Sequence, residues 1–192
     1  MNIEFIIPTY NRPNQLLCCI SSIVSQYSPN WRVHVVADGV YDGYDRIKDI
    51  FKNESRIRFS ELDGPHNDWG HTPRNFGLDR ATEEWVVMTG DDNYYMPIFV
   101  GEFLKAAELD THFVYCNLVH DWGPSKNYIP LDSEPKINKI DIGNFMTKTE
   151  YSKQIKLNTE YINADGRFVL EYLKKFDNKE IVKINKILYV HN

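Results

Sequence analysis

Apolar residues recur along the chain in two patterns: short β-branched and aromatic runs, and longer stretches whose apolar positions lie three or four residues apart. Runs of the first kind are typical of buried strands, and the second spacing is typical of helices with one apolar face. The runs predict four strands, at residues 3–8, 31–39, 57–62 and 84–90. The helical spacing predicts four helices, at residues 12–27, 44–51, 72–82 and 97–109.

This alternation extends to a fifth predicted strand at residues 112–119, and it breaks after that strand. Strands and helices that alternate favour an α/β fold with a mostly parallel central sheet flanked by helices. Residues 121–136 are rich in turn-forming residues and predict a loop, which we expect to form a mobile flap. The later pattern predicts a strand at residues 137–144, helices at 148–155 and 166–176, and a last strand at 180–190. With no repeat or linker, residues 1–192 are predicted to form a single domain.

The composition narrows the class of protein. A chain of 192 residues with 42% hydrophobic and 26% charged residues suits one globular domain. The net charge is −5 and no basic run is present, so nucleic-acid binding is not expected. No segment has the length of a transmembrane helix, and the N-terminus lacks the basic start of a signal peptide. The three cysteines have no metal-site spacing, which indicates free thiols. We therefore expect a cytoplasmic protein without a membrane span.

Polar residues cluster where predicted strands end. The clusters are Thr9-Tyr10-Asn11, Asp38-Gly39 and Asp91-Asp92-Asn93. Ligands of open α/β sheets bind outside the carboxyl ends of the strands, so these three clusters predict one binding site. A dinucleotide-dependent dehydrogenase is disfavoured, because no G-x-G-x-x-G motif follows the first strand.

Asp91 and Asp92 are adjacent carboxylates at the end of an apolar strand, and like charges this close need stabilisation. One interpretation is a solvated turn in which a carboxylate caps the next helix. The other is a site for Mg²⁺ or Mn²⁺, which bind one or two carboxylates together with waters and substrate phosphate oxygens. The residues alone leave both interpretations open.

Three other candidates also have two interpretations each. Asp38 suits a turn with Gly39, or a hydrogen bond from a nucleobase or a ribose hydroxyl. Tyr10 suits ordinary packing, or stacking on a nucleobase. Arg74 suits a surface position, or a contact with a phosphate or base at the start of a helix.

The last two candidates lie in the second half of the chain. Asp165 precedes a predicted helix, where it could cap the helix or act as a general base that stays ionised near the helix N-terminus. His191 suits a plain surface position, or the third ligand of a metal ion.

Residues 5–26, 31–39 and 74–97 resemble, in their order and spacing, the family 2 inverting glycosyltransferases with a GT-A (Rossmann-like) fold. The sequence FIIPTYNRPNQLLCCISSIVSQ, followed by WRVHVVADG, resembles the start of that family. The segment RNFGLDRATEEWVVMTGDDNYYMP is similar to its Arg-Asn-x-Gly, Ala-x-Gly-Glu and Asp-Asp pattern. The resemblance is densest up to about residue 110 and resumes at Asp165.

The resemblance implies a nucleotide-sugar donor, with a UDP-sugar favoured, bound mainly by residues 1–110. Pro8, Thr9 and Tyr10 would contact the nucleoside. Asp38 would accept a hydrogen bond from the base, and Arg74 would reach the base or the diphosphate.

For the reaction itself, the resemblance implies residue roles around a metal ion. Asp91 would hold the ribose and Asp92 would bind Mn²⁺ or Mg²⁺, with Asp91 and His191 as further candidate ligands. Asp165 would deprotonate the acceptor hydroxyl. Many family members carry another Asp two residues before the pair; here that residue is Thr89, so the main metal ligand of the pair is left open.

The acceptor, a carbohydrate or another hydroxyl compound, would bind to the acceptor-side half, residues 111–192, and a homo-oligomer is possible. Two alternatives share the fold. A nucleotidyltransferase is disfavoured, because no Gly-rich loop with a following Lys or Arg comes after strand one. A non-catalytic module that binds nucleotide sugars or carbohydrates would keep the fold without turnover.

Overall fold

A computed structural model describes residues 1–107, 110–121, 127–177 and 180–192. Its strands are β1 (Ile3–Thr9), β2 (Trp31–Ala37), β3 (Ile57–Glu61), β4 (Trp85–Met88), β5 (Tyr94–Tyr95), β6 (Thr111–His120), β7 (Ile129–Leu131), β8 (Phe145–Lys148) and β9 (Glu180–His191). Its helices are α1 (Pro13–Val24), α2 (Tyr44–Ile50), α3 (His71–Asp79), α4 (Phe99–Ala106), α5 (Thr149–Ser152) and α6 (Ala164–Lys175). Within these described ranges, every helix is too short or too polar to cross a membrane.

The strands form one sheet in the order β3-β2-β1-β4-β8-β6-β9-β5, with β7 paired to β6. Strand β1 pairs in parallel with β2 and β4, β2 pairs in parallel with β3, and β6 pairs in parallel with β9. Strands β5, β7 and β8 run antiparallel to their neighbours. The expected α/β fold with a mostly parallel sheet is therefore confirmed.

Helices cover both faces of the sheet because the central strands are apolar on both faces. Phe5 and Ile6 are neighbours in β1, both fully buried, and they belong to different core clusters. The cluster around Phe5 includes α1, α2 and α4, and the cluster around Ile6 includes α3 and α6. Successive strand residues point to opposite faces, so one apolar run supplies both cores.

The second half differs from the predicted elements. Residues 137–144 form turns and not a strand, and β8 lies directly after them. In these turns the side chain of Asn144 accepts a hydrogen bond from the backbone of Asp141, and Asp141 accepts one from Gly143. Such local side-chain bonds compete with sheet pairing. The apolar residues of this segment alternate with polar ones as in a strand, but they pack into the core from turns.

Other boundaries also changed. The helix predicted at 148–155 is only α5, and the short strands β5 and β7 were not predicted. Part of the predicted loop at 121–136, residues 122–126, lies outside the described residues, and the remainder contains β7. The flap therefore stays a prediction.

Candidate functional site

A cavity of about 900 Å³ opens at the carboxyl ends of β1, β2 and β4. This volume lies within the range of sites that bind small molecules and cofactors. All nine residues predicted from the sequence line it: Pro8, Thr9, Tyr10, Asp38, Arg74, Asp91, Asp92, Asp165 and His191. The strand-end clusters meet here because parallel strands bring their carboxyl ends to one edge of the sheet.

The carboxylate pair after β4 is held by side chains from β1 and the start of α1. Asp91 is 5% exposed, and Thr9 Oγ1 donates a hydrogen bond of 2.8 Å to its Oδ2. Arg12 Nη1 lies 2.6 Å from Asp92 Oδ2 and 3.5 Å from Asp91 Oδ1. The N-cap position of α4 is Ile98, and no side chain caps this helix. The interpretation of the pair as a solvated helix cap is therefore wrong.

Burial raises the pKa of Asp91 to about 6, and the charge of Asp92 adds to the rise. The hydrogen bond from Thr9 and the charges of Arg12 and Arg74 lower this pKa without offsetting the burial. A cation beside Asp91 would favour its ionised form. The pair therefore has the electrostatic character expected of a site for a positive ligand.

The predicted set of three metal ligands is not assembled. Among the described residues, no group of three His, Cys, Asp or Glu side chains could hold a metal ion. His191 Nδ1 instead lies 3.3 Å from Asp141 Oδ2. Two carboxylates still fit Mg²⁺ or Mn²⁺ when phosphate oxygens and waters complete the coordination. The guanidinium of Arg12 acts as a stand-in here, since it is a cation that contacts both Asp91 and Asp92.

Arg74 is a buried positive charge in the cavity wall and not a surface residue. It is 8% exposed, its Nε donates to Thr89 O at 2.9 Å, and its Nη1 donates to Trp69 O at 2.8 Å. Burial lowers the pKa of this guanidinium, while the charges of Asp141 and Asp165 raise it. Backbone bonds thus fix the side chain in the direction of the cavity carboxylates.

Asp38 is held by the loop that follows the neighbouring strand β3. His66 donates its backbone N–H to Asp38 Oδ2 at 3.0 Å, and its Nδ1 lies 2.5 Å from Oδ1. Both carboxylate oxygens therefore contact His66 and not the backbone of the turn at Gly39. A Cβ at Gly64 would lie 2.5 Å from Asp38 Oδ1, so only glycine allows the loop this close. Sequence analysis missed His66, because no local pattern links it to a residue 28 positions away.

Asp165 is the second residue of α6 and does not cap it. The cap position is Asn163, which makes no side-chain cap bond, and Asp165 Oδ1 accepts a hydrogen bond of 2.7 Å from Gly166 N. Burial raises the pKa of Asp165 to about 6, with a further rise from the charge of Asp141. Arg74 and His191 oppose that rise. A carboxyl group with this pKa is suited to accept a proton at neutral pH.

Asp141 is a further buried carboxylate that sequence analysis missed. It is 5% exposed, and Tyr189 Oη donates a hydrogen bond of 2.6 Å to its Oδ1. Its contact with His191 makes the interpretation of that histidine as a plain surface residue wrong. Tyr10, in contrast, is 46% exposed at the cavity, so it is not an ordinary packing residue.

A buried thiol contacts the backbone of the loop that carries the carboxylate pair. Cys19 in α1 lies with its Sγ 3.5 Å from Gly90 O, one residue before the carboxylate pair. Burial raises the pKa of this thiol well above its usual range, and the charges of Asp91 and Asp92 raise it further. Cys18, its neighbour, is exposed, and the three cysteines are free.

Several known proteins are similar to this chain. An "Uncharacterized glycosyltransferase" of Rickettsia felis is 29% identical over 113 residues, which cover 59% of this chain and 18% of that protein. The chain therefore spans about a fifth of the length of that relative.

Solved structures resemble the fold as a whole. The crystal structure of S. aureus TarS 1–349 in complex with UDP-GlcNAc has a TM-score of 0.73 at 19% identity, and covers 100% of this chain and 59% of that one. The mannosyltransferase PcManGT from Pyrobaculum calidifontis, in complex with GDP-Man and Mn²⁺, has a TM-score of 0.77 at 17% identity, and covers 98% and 56%.

The family assignment rests on a match that includes most of the described site. The model of the family described as "Glycosyl transferase family 2" matches residues 4–171, from β1 to within α6. It spans the carboxylate pair, Arg74 and Asp165. The chain therefore belongs to glycosyl transferase family 2.

Proposed function

We propose that this protein is a metal-dependent, inverting glycosyltransferase that moves a sugar from a nucleoside-diphosphate donor to an acceptor hydroxyl. One observation carries the proposal: the carboxylate pair Asp91-Asp92 and the carboxyl group of Asp165 line the same cavity at the carboxyl edge of the sheet. A cation site for the donor diphosphate and a base for the acceptor thereby lie in one site.

The donor would bind across the ends of β1, β2 and β4. Tyr10 offers a half-exposed aromatic face to a nucleobase, and Asp38 offers a carboxylate held in place by His66. Arg74 adds a fixed positive charge near the diphosphate. The complexes of TarS with UDP-GlcNAc and of PcManGT with GDP-Man support a nucleotide sugar, and we favour a UDP-sugar.

Asp92 would hold the divalent cation and Asp91 would bind the ribose. The side chain of Asp92 is 25% exposed, compared with 7% for Asp91, and Thr9 already bonds the latter. A bound Mn²⁺ or Mg²⁺ supplies Lewis-acid stabilisation of the charge that develops on the leaving diphosphate.

Asp165 would accept the proton of the acceptor hydroxyl as its oxygen bonds to the anomeric carbon of the donor. The bond from that carbon to the diphosphate breaks in the same displacement, and the diphosphate leaves with the electron pair. A single displacement inverts the anomeric configuration, as in inverting glycoside hydrolysis, where a base activates the attacking oxygen. With a pKa of about 6, Asp165 would be mostly ionised at pH 7 and still basic enough to share the proton.

The first test is ligand-dependent thermal stability. We expect UDP or a UDP-sugar to raise the melting temperature in the presence of Mn²⁺ and to have little effect without it. A ligand at a hundred times its dissociation constant should stabilise the fold by about 2.7 kcal/mol. If neither UDP, GDP nor their sugars shift the transition with Mn²⁺, the proposal is wrong. Stabilisation without release of nucleoside diphosphate to any acceptor or to water would favour the non-catalytic module instead.

A further inference from the structure

We propose that Arg12 is an internal counter-ion that occupies the cation position of the carboxylate pair before the metal binds, and then contacts the donor diphosphate. The inference rests on the proposed function. It assigns Arg12 two successive partners, the carboxylates and then the phosphate oxygens.

The contacts of Arg12 show the first of these partners. Its Nη1 lies 2.6 Å from Asp92 Oδ2 and 3.5 Å from Asp91 Oδ1, so one nitrogen contacts both carboxylates. A cation held by Asp92 would require the same space. Metal and guanidinium therefore compete for Asp92, and the side chain of Arg12 must turn away when the metal binds.

The position of Arg12 allows it to turn. Its side chain is 50% exposed, it immediately precedes α1, and it makes no side-chain cap bond to that helix. Its carboxylate partners lie 79 and 80 residues away in sequence, so no local constraint of the chain ties the side chain to them. Arg12 lines the cavity together with Tyr10 and Arg74, so a diphosphate bound there would share the cavity with its side chain.

The charge balance explains why a replaceable counter-ion is useful. Asp91 and Asp92 carry up to two negative charges, and Arg12 supplies one positive charge to them. A divalent metal stabilises the pair better than one guanidinium, and the diphosphate that arrives with it is itself an anion. Arginine binds phosphate oxygens in a bidentate manner, so the released side chain gains a new partner in the same site.

The two roles predict changes of opposite sign when Arg12 is removed. Binding of Mn²⁺ alone should become tighter in Arg12→Gln, because the competing charge is gone. We expect a gain of about two- to five-fold, which corresponds to a partly exposed ion pair. Binding of UDP at saturating Mn²⁺ should become weaker by about ten-fold, which corresponds to one charge-assisted hydrogen bond.

The experiment titrates the full chain with Mn²⁺, followed by the electron paramagnetic resonance signal of the free ion, and then titrates UDP calorimetrically at saturating Mn²⁺. Arg32→Gln is the matched control. The Arg32 side chain is 49% exposed, and its Nε lies 2.6 Å from Glu83 Oε1. It lies at the start of β2, whereas the cavity lies at the carboxyl end of that strand. This variant should bind both ligands as the wild type does.

The outcomes separate the inference from the function on which it rests. Unchanged or weaker Mn²⁺ binding in Arg12→Gln overturns the counter-ion role, and unchanged UDP binding overturns the diphosphate contact. If the wild type and Arg32→Gln bind neither Mn²⁺ nor UDP, the proposed function fails as well. Should Arg12→Gln not fold, Arg12→Lys carries the test, because lysine keeps the positive charge but lacks the planar guanidinium that binds phosphate in a bidentate manner. The Mn²⁺ affinity of this variant should stay within about two-fold of the wild-type value, while its UDP affinity falls. Loss of Mn²⁺ affinity in that variant would overturn the inference.

Discussion

Burial raises the pKa of Asp165 and also makes its ionised form costly for the folded protein. Its pKa rises from 3.8 to about 6, and Asp141, Arg74 and His191 are the charged groups that act on it. The same desolvation that would suit Asp165 to the proposed role of base disfavours its ionised form. The proposed role as general base and the stability of the fold therefore depend on this carboxyl group in opposite directions.

Asp165→Asn tests this opposition. We expect the variant to bind donor normally and to lose transfer by about 10²- to 10⁴-fold, because an amide cannot accept the proton. In the wild type, log kcat/KM should rise with pH and level off above about pH 6, where Asp165 is ionised. Normal turnover in Asp165→Asn would contradict the role of general base.

The same variant should be more stable than the wild type at pH 7.5. Since the folded-state pKa is raised, the stabilising contribution of protonated Asp165 is present below about pH 3.8 and is lost as the pH rises through about 6. The amide introduced by Asp165→Asn would stay neutral and avoid that loss, by up to about 3 kcal/mol. Thermal melts at pH 4 and 7.5 should show the gain only at the higher pH. A helix cap would give the opposite result, a loss of stability on substitution.

At the residue scale, the sequence predicted those site residues that follow strand ends. Asp38, Asp91 and Asp92 could be found because the end of an apolar run marks the carboxyl edge of the sheet. Arg12, His66 and Asp141 could not be identified from their surroundings. Their roles come from partners that lie 28 to 80 positions away in sequence and that only the folded chain brings into contact.

At the element scale, the position of α3 on β1 controls where Arg74 points. Gly77 lies one turn after Arg74 in α3, and a Cβ at Gly77 would lie 2.5 Å from Ile6 Cγ2 in β1. The helix can approach the strand this closely only because residue 77 has no side chain. From this position of α3, Arg74 donates a hydrogen bond to Thr89 O, just after β4.

Gly77→Ala should therefore destabilise the protein by about 1–3 kcal/mol, because the added methyl group forces α3 away from β1. Gly101→Ala is the matched control, since Gly101 also lies within a helix and its Cβ would meet nothing within 4 Å. That control should gain about 0.5–1 kcal/mol from better helix propensity. Chemical denaturation of both variants measures the difference; equal stability would show that the α3 contact is looser than described.

The elements themselves were predictable to different degrees. The long elements from β1 to α4 follow continuous apolar runs or the helical period of 3.6 residues, and they lie close to their predicted positions. Strands β5 and β7 have two and three residues; β5 exists because the distant β9 pairs with it, and β7 because it pairs with the preceding strand, β6. A run that short carries no periodicity, so only the tertiary pairing could have identified it.

At the scale of the whole molecule, the cavity joins the two halves that the sequence distinguishes. Residues 1–110 supply the carboxylate pair, and residues 111–192 supply Asp141, Asp165 and His191. Strand β9, near the end of the sequence, pairs with β5 just after the carboxylate pair, which brings the halves into one sheet. The two halves of the chain therefore share a wall of one cavity.

This shared wall predicts how ligand binding spreads through the chain. With UDP and Mn²⁺ bound, hydrogen exchange should slow at the ends of β1 and β4 and also at the start of α6 and the end of β9. The reason is that side chains at or next to these four places line the cavity. Amides in α2, which lies away from it, serve as the internal reference. Protection confined to residues 1–110 would contradict a cavity whose walls from the two halves respond together to the ligand.

The contrast between the adjacent thiols Cys18 and Cys19 makes α1 a convenient place for a spectroscopic reporter. Cys18 is exposed, whereas Cys19 and Cys116 are buried with pKa values raised by burial. A maleimide dye at neutral pH should therefore label Cys18 selectively, without any engineered cysteine. The dye would then sit less than two turns from Arg12, on the helix whose first turn adjoins the carboxylate pair, and its fluorescence could follow ligand binding in real time.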